Sequence, residues 1–219
     1  MCLQRTGRWA DALRHSLAKV YEPTTRTPVP WLLTGEAAMS LQGVDLEPDI
    51  IEFRATSPYA VAYFSVFMKP HEAPVSGATV IYKRGGSIVP SENWRSNVHQ
   101  RIVAWSNGDE ACWLGRWNID GFPVEVSYTH SSQGGPLAML PREDIRRVHF
   151  EGMDVAVAPL EYLLADRTAH GDTATTNRIL HALRNSGYSI DLLNRALDAL
   201  PSDKALRLLR LLEIRLVAG

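Results

Sequence analysis

The seven histidines, two cysteines and scattered serines of this chain are the residue types most often recruited for chemistry, and their spacing offers none. The histidines fall at no ligand spacing and read as surface or satisfied residues. Cys2 and Cys112 stand too far apart for a metal knuckle or a disulfide framework. Ser16, Ser40 and Ser65 lack an elbow motif or a partner that would make a nucleophile. The acids remain. Asp49 and Glu52 stand at the head of one apolar run, and Glu125 alternates with Val124 and Val126 in another. Carboxylates that converge are ligands for hard divalent ions. Residues three apart on a regular strand point to opposite faces, so Asp49 and Glu52 reach one ion only across a bulge or an irregular strand start. Glu52 and Glu125 also read as ordinary polar positions of half-exposed strands, and Glu36 as a helix-capping surface residue.

The elements that must position these acids are legible in outline. Residues 8 to 21 form an amphipathic helix with Trp9, Leu13, Leu17 and Val20 on one face, ended by Pro23, Pro28 and Pro30. Val29 to Leu33 is a short strand, and Thr34-Gly35 opens a helix from Glu36 to Gln42 that Gly43 stops. Ile50 to Ala55 is a strand. Ser57 then caps a helix with Pro58 at its first position. Strands follow at Thr79 to Tyr82, Arg101 to Trp105, Ala111 to Ile119 and Pro123 to Tyr128. Asp120-Gly121 joins the last two, since both residues tolerate the positive φ of a tight hairpin turn. Loops are expected at Gly85-Gly86 and Gln133 to Pro136. From Pro159 the pattern turns helical: Pro159 to Ala169, Thr173 to Asn185, Ile190 to Ala199 and Ser202 to Val217. The fold class is α/β (α+β), a mixed sheet with flanking helices in residues 1–158 and a C-terminal helical tail in 159–219.

The segment Trp31-Leu-Leu-Thr-Gly-Glu-Ala-Ala-Met-Ser-Leu-Gln-Gly-Val44 runs from a buried strand through glycine into a small-residue helix, with an acidic strand shortly after. It resembles the nucleotidyltransferase superfamily, in particular the minimal nucleotidyltransferases and the toxins of abortive-infection systems. Asp120-Gly-Phe-Pro-Val-Glu-Val126 is similar to that family's later acidic strand. Gly152-Met-Asp-Val-Ala-Val-Ala-Pro-Leu-Glu-Tyr-Leu-Leu164 is similar to its final strand and the start of its tail. The resemblance implies Mg²⁺-dependent transfer of a nucleotidyl group from a nucleoside triphosphate to an acceptor hydroxyl. It makes Asp49, Glu52 and Glu125 the catalytic and metal-holding acids, because the chemistry needs two or three converging carboxylates. It places Thr34, Gly35 and Glu36 beside the triphosphate and makes Arg167 a phosphate contact.

Three departures weaken that chemistry. Glu36 stands where the family has serine, and a carboxylate at a helix start repels phosphate. The Asp-x-Asp pair is broken, since either frame through Asp49 or Glu52 keeps one acid and one isoleucine. Arg167 replaces a lysine, and Thr175-Thr176 stand near an expected Lys-Asp pair. The alternative is therefore a non-catalytic binding or regulatory protein of the same fold, such as a toxin–antitoxin partner.

A net charge of −1 argues against binding nucleic acid through bulk charge. The basic patch Arg142, Arg146, Arg147 and His149 reads as a solvated face. No stretch is apolar enough to span a membrane, which makes the cytoplasm the default compartment. In the last helix, Ala205, Leu206, Leu208, Leu209, Leu211, Leu212, Ile214, Leu216 and Val217 leave only a narrow polar stripe. Burial on several sides within its own domain is the first expectation, and a homodimer or protein-partner contact through residues 202–217 the second.

Overall fold

Apolar alternation decides which face of the sheet is core. In β1 (Trp31–Thr34) and β2 (Ile51–Ala55), and in the long hairpin β6 (Glu110–Ile119) and β7 (Phe122–Ser131), apolar residues recur at alternate positions, among them Ile51 and Phe53, Trp117 and Ile119, and Val124 and Val126. Leu33, Ile51, Phe53, Trp117, Val124 and Val126 are buried together. The computed structural model describes residues 7–24, 31–74, 81–84, 87–107, 110–131 and 135–216. With β5 (Val103–Asn107), β8 (Arg146–Phe150) and β9 (Met153–Val157), these strands form one mixed sheet in the order β5-β6-β7-β2-β1-β9-β8. The pairs β2–β7 and β1–β9 are parallel, and the other pairs are antiparallel. A separate hairpin joins β3 (Ile81–Arg84) to β4 (Ser87–Pro90).

The hairpin turn between β6 and β7 is the two-residue turn expected, with φ of 53° at Asp120 and 77° at Gly121. It fixes Ile119 opposite Phe122 and thereby the whole register. The helices α1 (Arg8–Thr24), α2 (Gly35–Leu41) and α3 (Pro58–Phe67) pack on the apolar strand residues through Leu13, Leu17, Met39 and Phe64. Ser57 caps α3 by accepting the Ala60 N–H at 3.1 Å. The α1 helix runs on to Thr24, so Pro23 sits in its last turn rather than beyond it.

The tail holds α4 (Leu160–His170), α5 (Thr173–Ser186), α6 (Ile190–Asp198) and α7 (Ser202–Leu216). Asp172 and Ser189 cap α5 and α6 through the N–H groups of Thr175 and Leu192. One buried cluster runs without a break from Trp9 to Leu212, so the tail shares the core of the sheet. The last helix departs from its expectation. Among its described side chains, α7 packs on α4, α5 and α6 by one face: Leu208 and Leu212 are buried while Leu206 and Leu209 are 56% and 41% exposed. A helix at the end of a layer meets neighbours on one side, however apolar its other side is. The expected strand start at Val29, the link through Pro28 and Pro30, the start of the strand at Thr79, the loops at Gly85-Gly86 and 133–134, and Val217 lie outside the described residues. No helix among the described residues is long and apolar enough to cross a membrane.

Candidate functional site

Register alone builds the site. Thr34 pairs with Glu52, Glu52 with Glu125, and Glu125 with Arg116, across β1, β2, β7 and β6. Residues directly opposite on neighbouring strands share a face, so these four side chains form one row on the face away from Phe53 and Val126. Two of the three expected acids, Glu52 and Glu125, therefore stand side by side. Asp49 is exposed in the bend before β2, which begins at Ile51. Its backbone N–H donates to Glu36 Oε2 at 3.0 Å, so Glu36 at the start of α2 clasps that bend. Among the described residues no three acids, histidines or cysteines group as a metal site.

Gly35 is where α2 leaves β1, at φ +61°, a region that favours glycine. A Cβ there would lie 1.7 Å from Glu52 Oε2. The Glu52 carboxylate thus rests directly on the Gly35 backbone, in the space a side chain would fill. The Thr34 hydroxyl donates to the Glu52 carbonyl at 3.3 Å, which uses it within the strand pair.

The acids of the row are matched by arginines. Arg116 donates from Nε at 2.8 Å and Nη2 at 2.6 Å to Glu125 Oε2. Its Nη1 donates to the Ser91 and Glu92 carbonyls at 3.3 and 3.1 Å. Four hydrogen bonds make Arg116 an anchor between Glu125 and the loop that follows β4. Glu52 faces Arg167 Nη2 of α4 at 3.8 Å, an ion pair too long for a hydrogen bond. Burial pushes the Glu52 carboxyl above its usual range; Arg167 opposes this, and Glu125, Asp166 and Glu36 add to it. Burial likewise raises Asp166, against His170, Arg167 and Arg54, and burial lowers Arg54.

These partners bear on Mg²⁺, which takes carboxylate oxygens not already committed. Here two carboxylates are faced by two guanidinium groups, and one Glu125 oxygen carries two of the hydrogen bonds. The side chains present do not fit a divalent ion.

Arg116, Arg54 and Asp166 belong to the site and were not singled out by the sequence. The signal for Arg116 was present: counting four residues outward on each side of the Asp120-Gly121 turn sets it opposite Glu125. Arg54 lies two residues beyond Glu52, on the same face of β2. Three residues of the basic patch are paired: Arg146 donates to Glu161, Arg147 to the Asp154 carbonyl, and His149 pairs with Asp154, while Arg142 is exposed. A groove of about 1150 Å³ lies elsewhere, lined by Gln42, Asp45, Arg178 and His181, and none of the acid row borders it.

No protein-family profile and no curated protein matches the chain. Its structural neighbours include TM1012 of Thermotoga maritima, proposed to be a nucleotidyltransferase. That likeness has 18% identity, covers 80% of this chain and 94% of that one, and gives a TM-score of 0.48. A protein from H. pylori proposed to be a nucleotidyltransferase is similar at 12% identity over 95% of this chain and 94% of its own, with a TM-score of 0.45. The antibiotic-resistance factor ANT(2'')-Ia is similar at 11% identity over 96% of this chain and 94% of its own, with a TM-score of 0.43. These are likenesses of fold outline.

Proposed function

We propose that this chain is a nucleotidyltransferase-fold protein whose acid row has become structural, and that it acts as a binding or regulatory protein rather than as a transferase. One observation carries the reading. Glu125, the residue in the place of the third acid, is held by Arg116, and the same guanidinium holds the loop carbonyls of Ser91 and Glu92. An acid committed to such an anchor is not available to a metal, and fold does not confer function. Glu36, used to clasp the bend at Asp49, supports the same reading because it keeps a negative group beside Gly35.

A second reading keeps Mg²⁺-dependent nucleotidyl transfer from a nucleoside triphosphate, with Asp49, Glu52 and Glu125 as its acids. It takes Thr34, Gly35, Glu36 and Arg167 as the nucleotide contacts. It is favoured by the register of Glu52 with Glu125 and by the glycine at the start of α2, whose φ of +61° is one a side chain disfavours. The two part in one assay, in which the intact chain is given labelled nucleoside triphosphates, Mg²⁺ and a mixture of RNA and protein acceptors. The structural reading predicts no incorporation above a Glu52→Ala, Glu125→Ala control. Incorporation that the control loses would restore the transferase reading.

A further inference from the structure

Two amide oxygens in the wall of the groove beside α5 are buried without a donor. Gln42, which follows α2, spends both N–H groups of its side chain on the Ala38 and Ala158 carbonyls, at 3.0 and 2.8 Å. That fixes the amide and leaves its Oε1 buried without a partner. The Oδ1 of Asn177, on α5, is in the same condition. Both residues line the groove of about 1150 Å³, and both orphaned atoms are acceptors. A buried polar atom without a hydrogen bond is unfavourable, so the groove calls for donors that the chain does not supply.

The rest of the lining says that those donors carry positive charge. Asp45 and Glu47, in the loop after α2, are exposed, and their carboxylates pair with no described residue. On the α5 wall, Asn185 Nδ2 donates to His181 Nε2 at 3.1 Å, which keeps that ring neutral. Arg178 is the one arginine or lysine of the lining, and it leans on the Asp45 carbonyl at 3.4 Å rather than on either carboxylate. We propose that this groove binds a guanidinium group, carried by a small molecule or by an arginine of a partner chain. Five N–H donors spread in one plane suit a lining with several separate acceptors. Asn177 turns to the ligand about its last torsion, which is soft. No acid of the row borders the groove, so the site stands whether or not that row transfers a nucleotide.

The test follows the amide signals of the isotope-labelled full chain by NMR as methylguanidinium chloride is added, with potassium chloride at matched ionic strength as the blank. The Asn177 side-chain amide and the Asp45 and Arg178 backbone amides shift with the guanidinium salt and not with the potassium salt. Asn177→Leu, with an unchanged or higher melting temperature, weakens binding by about tenfold or more, the loss expected when a hydrogen bond to a charged group is removed. Asp45→Asn weakens it as well, and Arg178→Met tightens it by removing a like charge. Glu143→Gln, which does not line the groove, leaves it unchanged. Agmatine binding at least as well as a short acetylated peptide with a central arginine assigns the site to free guanidinium compounds. The reverse order assigns it to an arginine of a partner chain, and both orders support the site. No shift with any of the three probes, or equal binding by Asn177→Leu, overturns it. Nucleotide incorporation in the transferase assay bears on neither result, so the two proposals fall separately.

Discussion

The joint between β8 and the helical tail and the contact between β2 and α4 are built from the same kinds of side chain and finished differently. At the joint, the wholly buried Glu161 accepts from Arg146 Nη2 and from the Ser189 N–H, each at 2.9 Å. Beside it, Asp144 accepts from Arg195 Nε at 2.8 Å, Arg195 Nη2 at 2.6 Å and the Tyr162 hydroxyl at 3.1 Å. At the contact, Glu52 and Arg167 stand 3.8 Å apart and Arg54 donates to no described residue. Desolvating charge is costly, and good hydrogen-bond geometry is what offsets it. The joint offsets much of the cost within the chain through Glu161 Oε1 and both Asp144 oxygens, although Glu161 Oε2 is buried without a partner. Between β2 and α4 the pair of Glu52 and Arg167 has charge attraction without a hydrogen bond.

Breaking the joint should give the largest effect. Arg146→Met leaves the Glu161 carboxylate buried with one backbone donor, and the loss is expected at about 3–5 kcal/mol. Urea unfolding measures it, and a loss below ~1 kcal/mol would erase the contrast between the two regions. A smaller change tests a single bond of the tail. Asp172→Ala removes the cap of α5 and should cost about 1 kcal/mol at neutral pH. The backbone N–H of Thr175 holds the Asp172 carboxyl below its usual 3.8. A lowered folded pKa means stability present above 3.8 and lost as the pH falls through the folded value. The deficit of the variant should therefore close in acid.

The contact between β2 and α4 should respond least, and with the opposite sign. Burial raises the Glu52 carboxyl above 4.5, so its contribution is fully present below that pH and is lost as the pH rises through the folded value. Glu52→Gln should thus melt slightly higher than the intact protein at neutral pH, with the gain shrinking as the pH falls through the folded value and largely gone by pH 4.5. A variant that melts lower at neutral pH would show that Glu52 is as well satisfied as Glu161.

Much of the frame was readable because local chemistry agreed with the fold. Ser57-Pro58 starts α3, Asp120-Gly121 turns the hairpin, and Ser189 caps α6 as expected. The acids Glu52 and Glu125 could be placed on one face from alternation and the family pattern. Their partners were harder. Arg116 becomes opposite to Glu125 only once the hairpin register is followed, and Arg167 meets Glu52 through a packing of α4 that no strand or helix period encodes. The last helix misled for a related reason: its leucines specify an apolar surface but not how many neighbours will cover it. Leu206 and Leu209 stayed exposed.

The central claim is that Arg116 has taken Glu125 out of metal chemistry. It is tested most directly by titrating the intact chain with Mg²⁺ and a non-hydrolysable ATP analogue, beside Glu125→Ala. The account predicts that Mg²⁺ adds nothing to whatever binding the analogue shows in EDTA, and that Glu125→Ala leaves this indifference unchanged. Tight binding that requires Mg²⁺ and disappears in Glu125→Ala would show that the acid row still holds its metal, and would contradict the account.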